Sequence, residues 1–96
     1  MIVDLVTFRV RRGKEQEFER HAEEWIRLMR RSRGFITQSL MRGAEDPSEY
    51  RATIRWVNRE YRDRFNGQET GEAKALLKRA SAILESPPVH CLLEQV

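Results

Sequence analysis

Asp4 has the least ordinary setting of any titratable residue in the chain. It shares one side of an apolar N-terminal run with Ile2, Val6 and Phe8, which places its carboxylate against the core. A desolvated carboxylate titrates above its usual range unless a cation pairs with it, and can then take a proton from a bound molecule. The competing reading is an Asp near a strand end held by an arginine. Trp56 closes the run YRATIRW; facing the helices, its ring can stack on a planar molecule and its indole N–H can donate. It can equally be core. Tyr50, on the same side, offers a phenol hydroxyl, but its place near the strand start leaves it open to solvent. Phe65 either packs a short helix or walls a pocket. Arg55 and Asn58 flank Trp56 in sequence and can stabilise an anion if their side chains turn inward.

The other reactive residues form no constellation. His21 is expected at a helix boundary or in solvent, and the short run around His90 leaves its face open. Two isolated histidines without a carboxylate at ligand spacing do not make a metal site. Cys91, the single cysteine, has no histidine at a spacing that suggests a catalytic pair and reads as a small hydrophobe. No phosphate loop, nucleotide glycine fingerprint or Ser-His-Asp pattern is present. No metal or organic cofactor is therefore expected.

The elements that must position these residues follow from the spacing of apolar side chains. Residues 2–10 read as a strand ended by Gly13. From Lys14 to Arg31 the period changes: Phe18, Ala22, Trp25 and Met29 make one stripe of an amphipathic helix. Glu15 and Glu17 lie in its first turn and Arg27, Arg30 and Arg31 near its end, as the helix dipole favours. Gly34 follows as a stop. Residues 35–42 and 49–57 are strands joined by the turn Ala44-Glu45-Asp46-Pro47-Ser48. Asn58 caps a short helix over 59–66, broken at Asn66-Gly67. A further helix runs over Ala73–Leu84 and stops at Ser86-Pro87-Pro88. Residues 89–96 form the last strand.

This order is a ferredoxin-like βαββαβ, an α+β fold with a four-stranded antiparallel sheet carrying its helices on one face. The 96 residues make one domain, too small for its core alone to give ample stability. One cysteine and no zinc ligands leave a partner subunit as the support. The first two strands are apolar on both sides, yet only one face can lie under the helices. A homodimer through the second face, including Val3, Leu5, Ile36 and Leu40, is therefore expected.

Composition excludes several classes. With 34% charged and 40% hydrophobic residues the chain is globular, not disordered. Its apolar runs are too short to span a membrane. The first ten residues do not read as a signal peptide, and a cytoplasmic location is the expectation. The net charge of +3 comes from 18 basic residues, 15 of them arginine, against 15 acidic ones. The arginines are spread among the acids, which reads as a solvated surface. RNA-recognition domains share this order of elements, but YRATIRW lacks their glycine–aromatic stacking pattern. Nucleic acid is not an expected partner.

The run VTFRVRRGKEQEFERHAEEW resembles the opening of antibiotic-biosynthesis-monooxygenase-like domains. Ser32-Arg33-Gly34-Phe35 is similar to the family's glycine–aromatic lead into the second strand, and Asp46-Pro47 to its hairpin. Arg55-Trp56-Val57-Asn58-Arg59-Glu60 resembles its tryptophan-ending strand with a capped helix behind, and Pro87-Pro88 its last turn. The resemblance covers essentially the whole chain. It implies a dimeric α+β barrel of two sheet-packed subunits. It further implies a cofactor-independent monooxygenase acting on an electron-rich phenol or quinol, with a non-catalytic dimeric ligand-binding or accessory protein as the alternative. The family's haem-degrading branch uses an asparagine, a tryptophan and a histidine where this chain has Val6, Phe65 and approximately Ala75, so haem degradation is not implied. On this reading Asp4 is the base, Trp56 a pocket wall between helices and sheet, and Tyr50, Phe65, Arg55 and Asn58 contributors to binding a small aromatic molecule.

Overall fold

Alternation in the first strand organises the whole molecule. In β1 (Ile2–Arg9) the even-numbered side chains turn toward the helices, and Asp4 and Val6 are buried there. The computed structural model describes all 96 residues and continues with α1 (Glu15–Arg30), β2 (Phe35–Arg42) and β3 (Glu49–Trp56). It ends with α2 (Arg59–Asn66), α3 (Gly71–Ile83) and β4 (Val89–Glu94). The strands form one sheet in the order β2-β3-β1-β4, with every pairing antiparallel. This is the ferredoxin-like βαββαβ arrangement, with α2 as a short additional helix before the second crossover. No helix is long and apolar enough to cross a membrane.

The helix side holds two apolar clusters, one at each end of β3. Trp56 packs with Leu28 and Met29 of α1, Phe65 of α2, and Ala73 and Leu76 of α3. Tyr50 packs with Phe18 of α1, Val10, and Ile83 and Leu84 at the end of α3. Each large side chain closed in this way contributes about 1.5–3 kcal/mol. Val10 and Leu84 form an isolated bridge that ties the end of β1 to the end of α3.

Local chemistry sets the boundaries. The Asn58 side chain accepts a hydrogen bond from the Tyr61 N–H at 3.1 Å and starts α2; such a cap stabilises a helix by about 1 kcal/mol. Thr70 does the same for α3, accepting from the Ala73 N–H at 3.2 Å, so this helix begins two residues before its apolar period. Gly34 has φ +84°, and a Cβ there would lie 2.3 Å from Tyr61 Cγ. The ring of α2 therefore rests directly on the backbone leading into β2, a contact only glycine permits.

One expectation about the open face is corrected. The register between β2 and β3 shifts between Phe35 and Thr37, leaving Ile36 as an extra residue in a bulge. Strict alternation from Phe35 would place Leu40 on the open face. The bulge reverses the phase: Leu40 lies opposite Ala52 and packs into the Tyr50 cluster. Met41, opposite Arg51, is the apolar residue of β2 that faces outward. The open face thus carries Val3 and Leu5 from β1, Met41, and Val89 and Leu93 of β4.

Candidate active site

Asp4 occupies a central strand with Ile54 of β3 on one side and Leu92 of β4 on the other. Its residue is 1% exposed, so its charge has to be met from within the protein. Two side chains meet it. Arg62 of α2 donates from Nε to Asp4 Oδ2 at 3.1 Å. The ring of His90 brings Nδ1 to 3.1 Å from Oδ1 and 3.2 Å from Oδ2.

The local fold explains why these three converge. His90 lies opposite Val6 in the β1–β4 register, so it shares the helix side of the sheet with Asp4. The open question of its face is answered by that pairing. In α2, Arg62 and Phe65 are three residues apart and lie on one side of the helix. Phe65 inserts into the Trp56 cluster, and the same docking carries Arg62 over Asp4. Arg62 also donates to Asp63 Oδ1 at 3.0 Å. With its amide turned so that the oxygen faces the guanidinium, Asn66 accepts from Arg62 Nε at 3.2 Å and Nη2 at 3.3 Å. Burial works against the Arg62 charge, but its bonds to Asp63 and Asp4 outweigh burial and hold its pKa above the usual value.

The other candidates are distributed along β3 and beyond it. Trp56 shares the helix side with Asp4 and is 1% exposed, enclosed by its cluster with the rings of Phe35 and Phe65 at 5.8 and 5.2 Å. Tyr50 is buried, contrary to the expectation of solvent, because the Phe18 ring packs against it, tilted by 48° at a centroid distance of 4.7 Å. Its hydroxyl donates to Glu19 Oε2 at 2.6 Å. Burial, followed by this bond, raises the phenol pKa, while Arg42 opposes the shift. Six residues of extended chain, roughly 20 Å, separate Tyr50 from Trp56, so one small molecule does not touch both. Arg55 lies on the open face opposite Val3 and donates to Gln95 Oε1 at 2.9 Å; it does not turn toward Trp56. The Asn58 side chain is engaged in its cap.

His21 is also corrected. It is buried on α1, where Nε2 accepts from Trp25 Nε1 at 3.0 Å and Nδ1 has no partner. Burial, then the nearby Arg79 charge, lowers its pKa.

Among the hollows of the surface, two lie away from Asp4 and Trp56. One of about 560 Å³ lies between α1 and α3 and is lined by Glu24, Arg27, Arg30, Arg31, Glu72 and Arg79, among others. Much of its charge is paired, Arg31 with Glu72 at 2.8 Å and Arg79 with Glu24 at 2.7 Å. The other, about 320 Å³, adjoins Tyr50, Leu40, Ala22 and Ile26.

Arg62 was not singled out from sequence. A buried Asp calls for a cation, but Arg55, Arg59, Arg62 and Arg64 all stand within ten residues. Only the start of α2 at Asn58, combined with the inward turn of Phe65, selects among them.

Residues 1–73 match the family model for antibiotic biosynthesis monooxygenase. No curated protein sequence matches the chain. Among solved structures, SnoaB from Streptomyces nogalater, a cofactor-independent oxygenase, is 19% identical. The match covers 99% of this chain and 92% of that one, with a TM-score of 0.86. A Bordetella bronchiseptica protein bearing the same family description is 22% identical over 99% of this chain and 96% of its own, TM-score 0.86. A third, from Nitrosomonas europaea, is 16% identical over 100% and 99%, again with a TM-score of 0.86. At these identities the likeness is one of fold.

Proposed function

The chain belongs to the antibiotic biosynthesis monooxygenase family, and from that premise we propose that it is a cofactor-independent monooxygenase acting on an electron-rich phenol or quinol. The observation that carries this reading is Asp4, a carboxylate closed off on the helix side of the sheet and linked to an imidazole that reaches solvent. Such chemistry asks little of a protein beyond holding the substrate and removing its proton. The phenolate is electron-rich enough to reduce dioxygen itself. For a phenol with a ring C–H, one oxygen atom becomes a new carbonyl. The other leaves as water with the hydroxyl and ring hydrogens, so no external reductant is consumed.

The working form is a homodimer through the open sheet face. Val3 and Leu5 lie at its centre with Met41, Val89 and Leu93 around them, and Ile36 is 45% exposed at the bulge. The exposure of Met41, Val89 and Leu93 on that one face supports an interface there.

Oxygen consumption by the metal-free protein across a panel of quinols and polyphenols tests the reading. Uptake matched by product carrying one oxygen atom from dioxygen is expected. The absence of uptake with every compound would reject it. The second reading, a non-catalytic dimeric ligand-binding or accessory protein, is favoured by one observation: Trp56 is packed on all sides by its cluster.

A further inference from the structure

Resting on the phenol reading above, we propose that His90, not Asp4, takes the substrate proton, with Asp4 as its positioning residue. Asp4 is too enclosed to meet a substrate, and both of its oxygens are engaged within the protein. The His90 side chain is 41% exposed, so a molecule arriving at the edge strand β4 reaches the ring first.

The geometry determines which nitrogen is free. An ionised carboxylate only accepts hydrogen bonds. With Nδ1 near both Asp4 oxygens, a lone pair on that nitrogen would face two others, so Nδ1 carries the hydrogen. Arg62 Nη2 also lies 3.4 Å from Nδ1, a contact that would need a lone pair there. It is the longest of the three contacts of Nδ1, and Asn66 offers Nη2 an acceptor instead. Nε2 is therefore the basic nitrogen, and no protein group bonds to it; every hydrogen bond of the ring runs through Nδ1. The second nitrogen of a histidine is set by the bond the first one makes.

Each member then has one task. The phenol O–H bond breaks with its electron pair left on oxygen, and the proton forms an N–H bond at Nε2. The imidazolium is stabilised by the Asp4 carboxylate at Nδ1–H. Arg62 holds that carboxylate in place through its Nε bond, so Asp4 orients the ring. After oxygen transfer the Nε2 proton leaves with the water formed.

The test has two independent arms on the full-length protein. In the first, nitrogen-15 NMR of the histidine ring is read without substrate. The expected result is Nδ1–H with a bare Nε2 in the wild type, reverting in Asp4→Asn to the Nε2–H form that free imidazole prefers. In the second, turnover of whichever quinol the panel identifies is measured. His90→Ala is expected to lower kcat about 10²- to 10⁴-fold, the usual contribution of a general base, with KM little changed. Imidazole in the buffer should restore part of the loss. Because His90 is exposed, this variant is expected to fold, and circular dichroism checks that it does. An Nε2–H ring in the wild type overturns the proposal, as does His90→Ala with wild-type kcat. If no quinol is turned over by the wild type, the phenol reading falls, and the ring tautomer decides the Asp4–His90 pair by itself.

Discussion

The two faces of the sheet are made from the same strands and obey different rules. On the covered face, Val6, Tyr50, Ala52 and Trp56 are buried beneath the helices, and the one charge among them, Asp4, has its own cation. On the open face, Val3 and Leu5 lie between Thr53 and Arg55 of β3 and Cys91 and Leu93 of β4. Polar pairs interrupt the apolar surface there, such as Ser39 with Thr53 at 2.6 Å. The covered face is complete within one chain. The open face leaves Met41, Val89 and Leu93 exposed.

This contrast can be broken most forcefully at Trp56. Trp56→Ala removes the largest ring of the covered face and is expected to cost about 3–5 kcal/mol, read by denaturant unfolding. A loss below about 1 kcal/mol would mean that the cluster is not packed as described. Leu5→Arg probes the other face. Sedimentation is expected to show the mass falling from two chains to one. The unfolding free energy of the single chain should move by less than about 1 kcal/mol, as is usual for surface changes. An unchanged mass would place the interface elsewhere or deny it.

The smallest expected effect concerns pH and belongs to the covered side. His21 has a pKa lowered from 6.5 by burial and by Arg79. The unfolded chain therefore binds this proton more readily than the folded one. The stability linked to neutral His21 is intact above pH 6.5 and is lost as pH falls through the folded pKa. His21→Leu is expected to flatten the decline between about pH 7 and 5 in denaturant titrations. An unaltered slope would show that the acid sensitivity arises elsewhere.

Much of this architecture was legible in the sequence because it depends on periodicity and caps. Alternation in 2–10, the stripe through Phe18, Trp25 and Met29, and Asn58 ahead of 59–66 each report on neighbours a few residues away. The burial of Asp4 was readable for the same reason. Its partners were not, because Arg62 and His90 lie 58 and 86 residues away in sequence, and no local pattern reports contacts that remote. The histidines show this most clearly. His21, expected at a boundary, is buried with an unpaired nitrogen, whereas His90 was left without a face and bonds the buried acid. Side-chain type ranked them equally, and tertiary surroundings separate them. Tyr50 was misplaced for a related reason: its position near a strand start suggested fraying, but Phe18 and Ile83 close over it.

The bulge at Ile36 also bears on how this gene tolerates change in length. Along β2, losing one codon after the bulge inverts every side chain on one flank of the gap, sending Leu40 outward or Phe35 away from Trp56. Losing the codon for Ile36 itself leaves Phe35 facing inward and Thr37 outward, as they now stand. That position is a natural slot for insertion and deletion. Alignments drawn without a gap there will pair inward residues with outward ones for the rest of the strand.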